Sequence, residues 1–220
     1  MNQQNFDEMR RAMIASQLRT TGVNDPQVLA AIGSVARERF VPADRVATAY
    51  AEIPTPLGDG RAMGPPMALG RLLAEVRPRA GERALVIGAA TGYAAAVMHA
   101  LTGHVVAVEE DAGLAAQARD ALEGTGVELV EAPLRDGYAA GAPYDVILID
   151  GAVESVPQAL VEQLARDGRM AAAIVDRGVT RLAIGRRGGS GFALLPFADV
   201  EAALLPGFSL PAGFQFEGVE

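Results

Sequence analysis

The feature that most constrains this chain is a loop of small residues, Gly88-Ala89-Ala90-Thr91-Gly92-Tyr93, set between an apolar strand at 84–87 and a helical run to Leu101. From Gly81 onward, strand and helix patterns then alternate. A second strand is expected at 105–108, a helix at 113–122 and a third strand at 127–130. A continuous apolar run at 146–149 suits a strand buried on both faces. A helix at 157–164, a turn at Asp167-Gly168 and a strand at 170–175 follow. Such alternation predicts an α/β fold with a doubly wound, mostly parallel sheet. The last part departs from it: 179–187 and 192–197 flank Gly188-Gly189-Ser190-Gly191 and read as an antiparallel hairpin.

Before Pro78 the pattern is less regular. Phe6, Met9, Met13, Ile14 and Leu18 lie close to helical spacing over 5–18. Asp25-Pro26 is a helix start, with Asp25 as N-cap and Pro26 at the first helical position of a helix over 27–35. Phe40-Val41-Pro42 and the Pro-rich stretch 53–60 read as extended chain and turns. Pro66 starts a helix to Val76. The expected organisation is an N-terminal helical extension over 1–78, capping a Rossmann-like cofactor domain over 79–220, the two forming one compact unit.

Composition narrows the chemistry. The 220 residues contain no Cys, and all 19 basic residues are Arg. Thiol nucleophiles, thiolate zinc sites, Schiff-base lysines and the Walker A lysine are excluded. Two His residues, His99 and His104, are too few for most metal sites, so no metal is expected. A net charge of −8 argues against nucleic-acid or anionic-membrane binding, both of which need basic patches. The polar start, of mixed charge, does not read as a signal peptide, and a cytoplasmic setting is expected.

In a doubly wound sheet, ligands bind at the carboxyl ends of the strands. The loop lacks the glycines at 90 and 93 that a nicotinamide GxGxxG fingerprint requires. Glu109 ends the second strand, about 20 residues beyond Gly88, where a carboxylate can accept hydrogen bonds from both hydroxyls of a ribose. Asp136, in Arg135-Asp136-Gly137-Tyr138, follows the third strand and can accept from an adenine amino group; an ordinary Asp-Gly turn is the plainer alternative. Together Gly88, Glu109 and Asp136 outline an adenosine pocket.

These residues belong to a wider resemblance. Met13-Ile14-Ala15-Ser16-Gln17-Leu18 with Gly22-Val23, and Ala36-Arg37-Glu38-Arg39-Phe40-Val41-Pro42 followed by Ala49-Tyr50, resemble segments of the protein-L-isoaspartate O-methyltransferases. Val86 to Ala96 is similar to that family's "EIGTGSGYQAA", and Arg135 to Tyr138 to its "GDGY/W". Tyr144-Asp145-Val146-Ile147, Val156 to Leu160 and Gln163-Leu164 follow in the family's order. The resemblance implies a class I methyltransferase fold, with a seven-stranded sheet and an antiparallel C-terminal hairpin. It implies S-adenosyl-L-methionine as cofactor and damaged proteins or peptides bearing L-isoaspartyl residues as substrate, their carboxylate being methylated to begin repair. The loop Gly88, Ala89, Ala90, Thr91, Gly92 and Tyr93 would hold the methionine end, Glu109 the ribose, and Asp136 with Gly137 the adenine.

Gly60-Arg61-Ala62-Met63-Gly64-Pro65-Pro66 aligns with the family's "GQTISQP", which covers cofactor and substrate. Met63 and Gly64 are therefore the implied catalytic positions, and Gly64 stands where the family has Ser. Ala62 replaces a Thr, Val86 the strand-one acid and Ala90 the central glycine. These departures keep two alternatives open: a methyltransferase with another acceptor, or a non-catalytic protein that binds S-adenosylmethionine, its product or a partner. Asp150, ending the fourth strand, could face cofactor or substrate. His99, His104 and the Arg186-Arg187 pair read as packing, turn and hairpin-tip residues.

Overall fold

The computed structural model describes residues 3–189 and 191–210, with side chains from Asn5. Ser190 of the expected hairpin tip lies outside them. The N-terminal part opens with α1 (Gln3–Met13), which runs on through a wider turn at Ile14–Leu18 and a tight one at Arg19–Thr21. Helix α2 (Pro26–Ser34) starts as expected: the Asp25 carboxylate accepts from the Gln27 and Val28 backbone N–H groups, satisfying two donors that a helix start leaves bare. Short 3₁₀ turns follow at Arg37–Phe40 and Ala43–Thr48.

The Pro-rich stretch is extended chain and a turn, as its sequence reads, and its extended part is paired. Strands β1 (Thr55–Gly58) and β2 (Arg61–Met63) form a separate two-stranded antiparallel sheet. Pro56 is tolerated because a two-stranded sheet consists of edges, so its missing N–H breaks no interior ladder. Helix α3 (Pro66–Val76) begins and ends where the sequence places it.

The main sheet has seven strands in the order β5-β4-β3-β6-β7-β8-β9. They are β3 (Arg83–Ile87), β4 (His104–Glu109), β5 (Glu128–Glu131), β6 (Tyr144–Val153), β7 (Leu164–Asp176), β8 (Val179–Arg186) and β9 (Leu194–Asp199). The first five in sheet order are parallel, β8 pairs antiparallel to β7, and β9 pairs antiparallel to β8. Helices α4 (Tyr93–Thr102), α5 (Ala112–Ala121) and α6 (Gln158–Glu162) make the crossovers. The helix expected over 157–164 is cut short because Leu164 already pairs with Tyr144 in β7. The Asp167-Gly168 turn is instead a bulge inside β7, where Asp167 takes φ +64°.

Strand order reverses between β3 and β6: β4 and β5 lie to one side of β3, β6 to the other. That switch point opens a crevice beyond the strand ends, beside Gly88 and Asp150. Phe6, Met13 and Leu18 share one buried cluster with Val86, Val97 and Ala107, so the N-terminal elements and the sheet are packed together. A second cluster on the other face joins Leu85, Ile87 and Ile147 to Leu205 and Phe208. This return of the chain over the sheet was not foreseen: Leu205 donates to the Ala152 carbonyl and packs on Gly88.

Candidate active site

The loop after β3 adopts its shape through backbone conformations that small residues favour. Gly88 and Gly92 have φ of +75° and +100°, and a Cβ at Gly92 would meet Leu122 at 2.9 Å. Ala90 also lies in the left-handed region, at φ +50°, which costs an L-residue roughly 1 kcal/mol. The Thr91 hydroxyl donates to the Phe40 carbonyl at 2.6 Å, tying the loop to the N-terminal extension. Its side chain is therefore committed to the fold, although sequence alone grouped it with the cofactor loop. Tyr93 is buried beneath Arg37, whose guanidinium carbon lies 4.7 Å from the ring centre. Burial raises the Tyr93 phenol above its ordinary pKa, with Arg37 pulling the other way.

Glu109 lies at the end of β4, as expected, and is 0% exposed. Its carboxylate accepts five hydrogen bonds. Three come from the backbone N–H groups of Ala90 (2.6 Å), Glu110 (2.9 Å) and Asp111 (3.1 Å). The other two come from Arg61, whose Nη1 and Nη2 meet Oε1 and Oε2 at 2.7 and 2.8 Å. Burial works against the Arg61 charge, but the pairing with Glu109 outweighs it and raises the guanidinium above its ordinary pKa. Sequence reading missed this partner. The available signal was an Arg where the family segment has Gln, at the start of a strand that otherwise runs into apolar residues.

The segment 60–66 is thus brought onto the loop and Glu109. Met63 is buried, and Gly64 is half-buried with open space around it: a Cβ built there meets nothing within 4 Å. Arg37, 1% exposed, donates to the Ala49 carbonyl from Nε and to the Gly64 carbonyl from Nη2, both at 2.7 Å. A cavity of about 30 Å³ lies between these groups, lined by Arg37, Met63, Gly64, Tyr93, Asp150 and Ala203. That is room for roughly one water. A larger surface cavity of about 510 Å³ opens around Gly81, His104 and Tyr144. It lies where strands begin, opposite the edge at which doubly wound sheets bind ligands.

Asp150 faces the small cavity, and its carboxylate takes no protein hydrogen bond among the described residues. Burial pushes its pKa up to about 6, Arg37 and Arg61 lower it, and Glu109 raises it. Asp136 is exposed in a turn after β5, and its side chain also has no bond among the described residues. Gly137 is required for packing: its φ is +61°, and a Cβ there would meet Gln163 Oε1 at 2.6 Å. Gln163 in turn clamps the Tyr138 N–H and the Asp136 carbonyl. Asp136 and Gly137 are thus brought to the ligand edge of the sheet, though not to the small cavity. No group of three or more His, Cys, Asp or Glu that could hold a metal occurs among the described residues.

The backbone cradle, with its positive-φ glycines at the switch point, fits an adenosine ligand of the S-adenosylmethionine type. The ribose acceptor fits one only with Arg61 moved away, because its lone pairs are taken.

Comparison with known proteins gives the family and the fold. The family described as protein-L-isoaspartate(D-aspartate) O-methyltransferase matches residues 9–191. A protein-L-isoaspartate O-methyltransferase of Methylorubrum populi is 39% identical over 198 residues, covering 88% of this chain and 93% of the relative. One from Methanoregula boonei is 38% identical over 82% of this chain and 85% of its own length. Among solved structures, a protein-L-isoaspartate O-methyltransferase superposes with a TM-score of 0.79 at 24% identity, over 90% of this chain and 66% of that one. A Plasmodium falciparum structure, titled a putative protein-L-isoaspartate O-methyltransferase in complex with S-adenosyl-L-homocysteine, gives 0.75 at 17% identity, over 89% of this chain and 97% of that one. Both share the fold.

Proposed function

Because the chain belongs to the protein-L-isoaspartate O-methyltransferase family, we propose that it is an S-adenosylmethionine-dependent carboxyl methyltransferase. Its proposed substrate is the side-chain-derived carboxylate of L-isoaspartyl residues in damaged proteins or peptides. The observation that carries this reading is the docking of segment 60–66 on the glycine loop and Glu109. It brings the implied substrate positions Met63 and Gly64 to the implied cofactor residues. A cytoplasmic setting is part of the proposal. Among the described residues no helix is long and apolar enough to cross a membrane.

The proposed roles follow from elementary chemistry. The cofactor, when bound, supplies an electrophilic methyl group on a sulfonium. A carboxylate acceptor has a pKa near ~4 and is anionic at neutral pH, so no general base has to be found. The protein's work is alignment and exclusion of water. Arg37 suits that work: it is a buried cation whose bonds go to backbone carbonyls, leaving its charge without a carboxylate hydrogen-bond partner at the cavity wall. That charge favours an anionic acceptor beside Gly64. Gly88, Ala89, Ala90, Gly92 and Tyr93 would hold the methionine end, Glu109 the ribose, and Asp136 and Gly137 the adenine surroundings.

The test is incubation with methyl-labelled cofactor and a peptide carrying one isoaspartyl residue, against the same peptide with aspartate. Alkali-labile label on the isoaspartyl peptide alone is expected. Label on neither, from a chain that binds S-adenosylhomocysteine, rejects the substrate.

A further inference from the structure

We propose that Arg61 sets the cofactor affinity of this site: it occupies the ribose acceptor on Glu109, and the cofactor binds only as Arg61 leaves. The inference rests on the S-adenosylmethionine reading above. A carboxylate offers about four lone-pair sites, and five donors already meet Glu109 at 2.6 to 3.1 Å. Nothing remains for a ribose diol. Three of the donors are backbone N–H groups of the loop and of the chain after β4, which cannot leave without unfolding it. Arg61 is the one side-chain donor among the described residues, and its fork covers both carboxylate oxygens, as a diol would.

Arg61 is also placed to move. It sits on β2, in the two-stranded sheet that pairs with no strand of the main sheet. The turn joining β1 to β2, at Asp59 and Gly60, is exposed. The hairpin can lift without breaking a bond of the seven-stranded sheet. A released guanidinium has an acceptor nearby, since the Asp150 carboxylate takes no hydrogen bond among the described residues and acts electrostatically on Arg61. With both carboxylate oxygens of Glu109 covered by Arg61, opening must precede or accompany binding, and the measured affinity is the intrinsic one reduced by the open fraction.

The experiment is calorimetric titration of S-adenosylhomocysteine into the wild-type chain, R61Q and R61K, with a ligand-free melting curve for each. Gln is the residue of the family segment at this position, so R61Q is expected to fold. R61K keeps a cation but loses the two-pronged contact. R61Q should bind roughly 10- to 100-fold more tightly than wild type, with R61K between them. In wild-type chain labelled with ¹⁵N-arginine, the Arg61 guanidinium resonance should shift on saturation with S-adenosylhomocysteine. That second readout holds should R61Q fail to fold. Equal or weaker binding by folded R61Q, or an unmoved Arg61 resonance in the bound chain, overturns the inference and leaves the cofactor reading standing. No binding by any of the three overturns both.

Discussion

Restoring a hydroxyl at position 64 is the perturbation whose outcome the site geometry specifies most closely. A Cβ at Gly64 meets no atom within 4 Å, and Gly64 is not among the positive-φ glycines. Gly64→Ser therefore forces no neighbour to move, and the loss of glycine's unfolded-state freedom should stabilise the fold by about 0.4–1 kcal/mol. The residue is already anchored, since its carbonyl accepts from Arg37 at 2.7 Å. A serine hydroxyl there would be held beside the cavity that Arg37, Tyr93 and Asp150 line. A single preorganised donor at a site of developing charge is worth roughly 10²–10³ in rate, or about 3–4 kcal/mol. Even a partly aligned hydroxyl should thus raise turnover of an isoaspartyl peptide at least tenfold. Gly64→Ala is the control, adding the methylene without the donor. The assay is initial rate of methyl ester formation at saturating cofactor, with melting curves for all three proteins. Gly64→Ser no faster than Gly64→Ala, at unchanged stability, would refute the placement of the acceptor beside position 64.

Further expectations concern the loop and its surroundings. Ala90→Gly relieves a left-handed alanine and should raise the melting temperature by roughly 1–4 °C in scanning calorimetry; a fall would mean that the loop is not strained there. Asp150 has a folded pKa near 6 against 3.8 unfolded, so its contribution to stability is present below pH 3.8 and lost as pH rises through 6. Urea midpoints of the wild type should therefore fall between pH 4 and 8 relative to Asp150→Asn. The difference should reach at most about 3 kcal/mol, less whatever water at the half-buried carboxylate screens, and parallel pH profiles would contradict it. Asp150→Asn should also weaken S-adenosylhomocysteine binding in wild type but not in R61Q, as calorimetry on the four proteins would show. Arg37→Met removes two charged hydrogen bonds to backbone carbonyls and should cost about 3 kcal/mol or more by chemical denaturation. A change under 1 kcal/mol would mean that those carbonyls find other donors.

Sequence patterning located the parallel strands closely because burial on both faces leaves a continuous apolar run. The expected 84–87 and 105–108 became Arg83–Ile87 and His104–Glu109. Helix starts were legible where one residue carries the signal, as with Asp25 and Pro66. The β1–β2 hairpin was not, since strands of four and three residues with a proline carry too little periodicity. Nor was the end of α6, where pairing of Leu164 with Tyr144 overrides a helical pattern. In the candidate site, the positions of the loop and Glu109 were readable from spacing. Their occupancy was not: Arg61 and Glu109 are 48 residues apart, and only folding shows that one charge covers the other. The packing of Leu205 on Gly88 is likewise a long-range contact without a local signature.

A crystal structure with S-adenosylhomocysteine would show directly whether the Gly88–Glu109 edge is the methyl-donor site. Both ribose hydroxyls should lie on the Glu109 carboxylate and the homocysteine end against Gly88 and Gly92, with Arg61 withdrawn. Ligand bound elsewhere, or bound here with the Arg61–Glu109 pair intact, would contradict that assignment.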